Sequence, residues 1–418
     1  MTHEVRRIVP HATDGVADAD TVTWTRAMLA AFLRPRVEPG DLARAAADLV
    51  GSRLRGVYET ADPAPVATLR SWDSRMSVPG GEVTVDAVTA IGVRATHRRR
   101  GLLRAVLVDD LAEAARTGTP IAALTSTQGA LYERFGFGLA SWNRALRLDT
   151  RAAAFRVPEA TGRLRTLEPA TLASAAAPVQ DRARRRHPGS MDRGEASWAA
   201  LMTGVNLFGG LRPDPVRHAV LWSDATGRPG GYVVYRVAQD WAGGSGEIAV
   251  LDLQATTPES YRELWRHLAS LDLVGAVTWG DASTDEPLPW LLTDPRAAAP
   301  GASREMLWLR ILDVPGALGA RRYPVTEQIV LAVDDPAGYA AGTWLLDTTD
   351  PVEPRIVTTT AEPDVALDAP ALGSLYLGGV DPRVLARAGR LEERTPGAAG
   401  RLARLVAAPT VPWNGIRF

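Results

Sequence analysis

A strand that runs into an arginine–glycine turn and then a helix is the feature that most constrains this chain. Val88 to Arg104 reads VTAIGVRATHRRRGLLR. The β-branched run Val83 to Val93 predicts a strand, and Arg98-Arg99-Arg100-Gly101 predicts a sharp turn. Beyond the turn Leu102, Leu103, Val106, Leu107 and Leu111 recur at three- and four-residue spacing, the apolar stripe of an amphipathic helix. The first N–H groups of such a helix have no partner within it, and the helix dipole adds partial positive charge there. Strand, turn and helix in this order therefore make an anion site, and arginines on the turn can offer forked donors to a diphosphate. The alternative is a solvated arginine run that merely begins a helix.

With 418 residues the chain has room for roughly two to four domains. Hydrophobic content of 46% and charged content of 23% predict a soluble globular protein. All 47 basic residues are arginine and 48 residues are acidic, so the net charge of −1 gives no global field for nucleic acid. A local cluster at Arg98–Arg100 without interleaved aromatics is a poor nucleic-acid platform. With no lysine, an amine acetylator of this sequence has no lysine side chain of its own to modify. The absence of cysteine excludes disulfides, thiolate metal sites and a cysteine nucleophile. The six histidines are scattered without zinc-like spacing, so no metal is expected, and His97 reads as a turn residue. No apolar stretch is long enough for a membrane span, and the start MTHEVRRIVP lacks a signal-peptide core, which predicts a cytoplasmic protein and leaves non-classical secretion as the alternative.

Three units are expected, at 1–155, 156–298 and 299–418. In the first, helices are read at Trp24–Leu33 and Leu42–Leu49 and strands at Leu54–Glu59, Ala64–Trp72 and Val83–Val93. The Arg/Gly turn, its helix, a short strand Pro120–Leu124, a short helix Ala130–Phe135 and a strand Trp142–Leu148 follow. The second unit repeats this cadence, with strands near 217–223, 230–237 and 246–253, a helix at 258–271 and a strand at 274–279. At the equivalent turn it reads Ala255-Thr256-Thr257-Pro258-Glu259, where the acid would repel a phosphate. The Pro/Ala/Gly-rich stretch 294–302 separates a third unit, in which Met306–Leu312 alternates like a strand and helices are expected at 370–377, 381–388 and 397–407.

The spacing Arg98-x-x-Gly101-x-Leu103 resembles the acyl-CoA pyrophosphate loop of GNAT acetyltransferases. Three segments carry a closer likeness: ATHRRRGLLR at 95–104, LYERFGFG at 131–138 and LWLRILDV at 307–314. By these the chain resembles the Eis-type (enhanced intracellular survival) GNAT acetyltransferases over essentially its whole length. The resemblance implies an α/β (α+β) fold class: tandem GNAT folds, the second degenerate, and a C-terminal sterol-carrier-like α+β domain. It implies acetyl-CoA as co-substrate, no metal, and a primary amine as acceptor, on an aminoglycoside, a polyamine or a lysine side chain. It also implies a homohexamer, a trimer of dimers, with neither nucleic acid nor membrane as partner. An acyl-CoA-responsive binding or scaffold protein is the rival reading.

Carried onto matching positions, the resemblance assigns the backbone of Ile91 and Val93 to the pantetheine arm and Arg98, Arg99, Gly101, Leu103 and Arg104 to the phosphates. Ser126 and Thr127 would touch the cofactor or cap the next helix. Tyr132 would be the general acid: a phenol of pKa about 10 is protonated at neutral pH and can protonate a departing thiolate. The base would be the terminal carboxylate of Phe418. Chain ends usually fray, but Val411, Pro412, Trp413, Ile416 and Phe418 are apolar and predict docking. Arg417 beside it could lower its basicity. Trp24, Phe32 and Trp72 read either as an acceptor pocket or as core, and Asp73 and Asp86 either as amine attractors or as solvated surface.

Overall fold

The computed structural model describes residues 3–60, 62–126, 128–205, 217–239, 245–350 and 353–418. Three large sheets organise them, beside a two-residue ladder of Ala12–Thr13 with Val16–Ala17. In chain order the first stretch supplies β1 (His3–Ile8), α1 (Ala19–Ala31), α2 (Pro39–Ala47), β2 (Arg53–Glu59), β3 (Ala67–Val78), β4 (Gly81–Val93), α3 (Leu102–Arg116), β5 (Ile121–Thr125), α4 (Ala130–Glu133), β6 (Gly138–Leu139) and β7 (Trp142–Asp149). Next come β8 (Gly162–Leu167), α5 (Pro169–Arg184), α6 (Glu195–Thr203), β9 (Arg217–Asp224), β10 (Pro229–Gln239), β11 (Gly246–Ala255), α7 (Pro258–Ala269), β12 (Val274–Ala282), β13 (Ala298–Glu305) and β14 (Leu307–Ile311). The last stretch holds α8 (Val314–Gly319), β15 (Gln328–Asp334), β16 (Gly342–Asp347), β17 (Arg355–Thr358), β18 (Val365–Asp368), α9 (Ala369–Leu375), α10 (Pro382–Arg387), β19 (Leu391–Glu393) and α11 (Ala398–Val406).

The first sheet has the order β1-β2-β3-β4-β5-β14-β6 and the second β8-β9-β10-β11-β12-β7-β13. Each contains one parallel pair, β4 with β5 and β11 with β12, joined by the crossover helix α3 or α7. The apolar stripe of α3 does what its spacing predicts: Leu102, Val106, Leu107 and Leu111 are buried against Val57, Leu69, Val88 and Leu124. Each such side chain taken from water stabilises the fold by about 1.5–3 kcal/mol. The third sheet, β17-β16-β15-β18-β19, buries one face under α8, α9 and α11.

Two strands lie elsewhere than the linear reading places them. Trp142–Leu148, read as the last strand of the first unit, forms β7 and pairs with β12 and β13 in the second sheet. Met306–Leu312, read as a strand of the third unit, supplies β14, which is inserted between β5 and β6 in the first sheet. Its five residues are all buried, so β14 is a central strand covered on both faces. Arg310 broke the expected alternation because it is itself buried, paired to Asp335 at 2.7 Å. The two traded strands tie all three units together around one cleft. Among the described residues no helix is long and apolar enough to cross a membrane.

Candidate active site

The cleft opens where β4 and β5 part. Their parallel pairing runs only from Val85 to Val88 on β4. At Ala90 the backbone turns left-handed, with φ +54°, and the β3–β4 register shifts between Thr68 and Arg70. Thr68 Oγ1 donates to the Ala90 carbonyl at 3.0 Å and holds this bulge in place. Beyond it Gly92 and Val93 stay paired to β3, while no pairing joins residues 89–93 to β5. The backbone at Ile91 and Val93 thus borders the cleft, and both side chains are half-buried.

At the end of β4 the chain passes through a short turn, with Arg99 at φ +62° and Gly101 at φ +78°. A Cβ on Gly101 would meet nothing within 4 Å, so glycine is needed there for its backbone angle and not for space. No side chain caps α3 and no acid lies in its first turn. The first intrahelical bond is Ala105 N–H to Gly101 C=O, which leaves the N–H groups of Leu102, Leu103 and Arg104 ahead of it. Arg98, Arg99 and Arg104 line the cleft, exposed and without an ion pair among the described residues. His97 and Arg100 are occupied instead by Glu59, at 3.1 and 3.8 Å. The equivalent helix of the second unit, α7, closes its own first turn: Thr257 Oγ1 accepts from Ser260 N–H and Ser260 Oγ from Thr257 N–H, both at 3.1 Å. Its anion site is filled by its own side chains, and Glu259 lies in the same turn.

Tyr132 stands on α4 in the wall of the cleft, its ring edge-on to Phe137 at 6.2 Å. Burial pushes the phenol up to about 12, so it holds its proton throughout the physiological range. Its O–H has no hydrogen-bond partner among the described residues, which leaves the donor for the cleft. Ser126 accepts the Gln128 N–H at 2.8 Å and also lines the cleft; Thr127 lies outside the described residues.

The C-terminal segment is docked along its length. Trp413 is buried between Trp279 and His187, and its Nε1–H donates to the Asp281 carbonyl at 2.8 Å. Ser190 Oγ donates to the Trp413 carbonyl at 2.7 Å, and Asn143 Nδ2 to the Asn414 carbonyl at 2.8 Å. Asn414, fully buried, folds the chain back by bonding both N–H and C=O of Ile416. Arg417 pairs with Asp281 at 2.9 Å, a carboxylate it shares with Arg304 at 2.7 Å. Phe418 then enters the cleft: its ring is edge-on to Trp72 at 5.6 Å, and Thr125 Oγ1 donates to its main-chain oxygen at 2.6 Å. Thr125, the last residue of β5, is a seat that the sequence reading did not find, because nothing in sequence links positions 125 and 418.

One continuous cleft of about 1970 Å³ takes in the arginine turn, Tyr132, Phe418, Trp72 and Phe32. Trp24 is not part of it: fully buried, it bonds the Arg55 carbonyl at 2.7 Å and belongs to the core under α1 and α2. Asp86 is not solvated surface either. It is fully buried, bound by Arg53 at 2.6 Å, and burial together with the neighbouring Asp110 holds it well above the usual carboxylate range. Asp73, exposed, is held by the same Arg53 at 2.9 Å. Among the described residues no group of three or more His, Asp or Glu is placed to hold a metal ion.

Comparison with known proteins returns the same architecture. Residues 14–140 match an acetyltransferase (GNAT) domain family, residues 189–311 a second acetyltransferase (GNAT) family, and residues 314–415 a sterol carrier protein domain. An uncharacterised N-acetyltransferase of Streptomyces griseus is 33% identical over 99% of both chains. The N-acetyltransferase Eis of Mycobacterium tuberculosis is 35% identical over 77% of this chain and 78% of its own. The crystal structure of Eis1 from Mycobacterium abscessus superposes with a TM-score of 0.84, at 30% identity and over 100% of both chains.

Proposed function

The chain belongs to the Eis-like GNAT N-acetyltransferases, and on that premise we propose that it moves the acetyl group of acetyl-CoA to a primary amine, on a small molecule or a lysine side chain, within a ternary complex. The pyrophosphate sits at the start of α3, held by the Leu103 region of the first turn, by the open backbone at Gly101, and by Arg98, Arg99 and Arg104. The pantetheine arm extends along the unpaired edge of β4 at Ile91 and Val93, completing the strand pairing that β5 abandons. That course brings the thioester past Ser126 to the gap between Tyr132 and Phe418.

The amine attacks the thioester carbonyl, a C–N bond forms and the C–S bond breaks. The Phe418 carboxylate takes the proton that the nitrogen sheds; free α-carboxyl groups, with pKa about 3.3–3.7, are ionised at neutral pH. Tyr132 gives its proton to the departing sulfur, and solvent restores both groups. The products are the N-acetylated amine and the CoA thiol. The observation that supports this reading is the seat of Phe418: Thr125 Oγ1 donates to its main-chain oxygen at the end of β5, in the cleft that Tyr132 also lines. The assembly implied by the resemblance, a trimer of dimers, belongs to the same proposal and is read from sedimentation of the full-length chain.

CoA-thiol release with a panel of primary amines, with the acetylated product identified by mass, tests the activity. Acetylation of at least one amine is expected. No release with any amine would assign the cleft to acyl-CoA binding without transfer.

A further inference from the structure

Away from the arginine turn, the cleft is walled by the ends of α1 and α2 and by β3. Arg70 and Trp72 are two residues apart on β3 and emerge on one face. The Arg70 guanidinium lies 4.7 Å from the Trp72 ring centroid, and its Nε–H donates to Ser52 Oγ at 2.9 Å. Its two terminal nitrogens have no hydrogen-bond partner, and no carboxylate reaches ion-pair distance, among the described residues. The nearby acids do not neutralise it: Asp73 is committed to Arg53, and Asp48, exposed, acts on Arg70 only from beyond ion-pair range. Burial lowers Arg70 to about 10, which leaves it charged at neutral pH. On the same arm Phe32, Leu33 and Val50 present apolar surface, 39%, 76% and 53% exposed. The Phe418 ring meets the same Trp72, so one indole links the proposed base to the unpaired guanidinium.

We propose that Arg70 and Trp72 select, as acceptor, a primary amine that also carries a carboxylate on a flat apolar body. This rests on the acetyl-transfer reading above. With the amine at the Phe418 carboxylate, the body lies along Trp72 and the acceptor's carboxylate accepts one N–H from each of the two unpaired terminal nitrogens of Arg70, a forked contact that a planar guanidinium matches. A polycation would bring a second ammonium toward that guanidinium in a partly desolvated arm, where like charges repel more strongly than in water.

The test uses the full-length protein with para-(aminomethyl)benzoate, its neutral amide para-(aminomethyl)benzamide, and spermidine as acceptors. Para-methylbenzoate serves as a ligand that cannot react, its binding followed by calorimetry. The kcat/KM of the benzoate is expected to exceed that of the amide by about tenfold or more, the scale of one charge-assisted forked contact. Arg70→Met should bring that ratio close to one and weaken para-methylbenzoate binding by a similar factor, and Arg70→Lys should retain part of both. A wild-type ratio near one, a ratio untouched by Arg70→Met, or a higher kcat/KM for spermidine than for the benzoate overturns the proposal. The wild-type ratio decides even if Arg70→Met fails to fold. Should no amine be acetylated, the transfer reading fails by itself and para-methylbenzoate decides the site: Arg70-dependent binding supports it, and Arg70-independent or absent binding overturns it.

Discussion

Tyr132 carries the residue-scale claim most simply. Its phenol is buried, pushed up to about 12 and unpartnered among the described residues, which suits a proton donor and little else. Tyr132→Phe removes one oxygen and keeps the ring contact with Phe137. Steady-state kinetics should show kcat reduced by about 10²–10³, the usual worth of a positioned general acid, with acetyl-CoA affinity by calorimetry unchanged; unaltered kcat would remove Tyr132 from the acid role. Arg98 and Arg99 belong to the opposite case. Replacing both by Ala should raise the KM for acetyl-CoA several-fold and leave kcat near its wild-type value, since they touch only the non-reacting end of the co-substrate. These residues were legible because they sit in short contiguous patterns, RRRG and LYERFGFG. Arg70, Thr125 and the Arg417–Asp281 pair were not, because each takes its meaning from a partner distant in sequence.

At the scale of elements, the strand–turn–helix unit was read almost whole. The turn's glycine is the part that can be tested alone. Gly101 has φ +78° and open space where a Cβ would go, so Gly101→Ala adds backbone strain without a clash. It should cost about 1–2 kcal/mol in denaturant unfolding and weaken acetyl-CoA binding, since the strained turn and the first N–H groups of α3 move together. Equal stability of the two proteins would mean the turn relaxes freely. The traded strands β7 and β14 show where element reading stops. Periodicity reports which faces of a strand are covered, and in β14 both are; it does not say which sheet does the covering. The degenerate second unit was legible because its turn, Ala255-Thr256-Thr257-Pro258-Glu259, has neither arginine nor glycine and places an acid at the helix start, whereas the Thr257–Ser260 cap was seen only in the fold.

On the scale of the whole molecule, the three units converge on the C-terminal segment, whose anchors at Trp413 and Arg417 both reach Asp281 at the end of β12. Glu286, in the loop that follows, is largely buried with one carboxylate oxygen unpartnered, and burial raises it to about 8. The folded chain therefore holds a proton that an unfolded glutamate, with its ordinary pKa near 4.5, has released. The stability this contributes is full below pH 4.5 and lost as the pH rises through about 8. Between those limits wild-type unfolding free energy should fall relative to Glu286→Gln, by a few kcal/mol in order of magnitude; parallel pH profiles of the two proteins would show that Glu286 ionises freely when folded. Converting the terminal carboxylate of Phe418 to its amide by ligation of a synthetic C-terminal peptide keeps the phenyl ring on Trp72 and an oxygen for Thr125, and removes only the base. The kcat for amine acetylation by that semisynthetic protein should drop by about 10² or more with acetyl-CoA binding intact, whereas full activity of the amide would contradict the account.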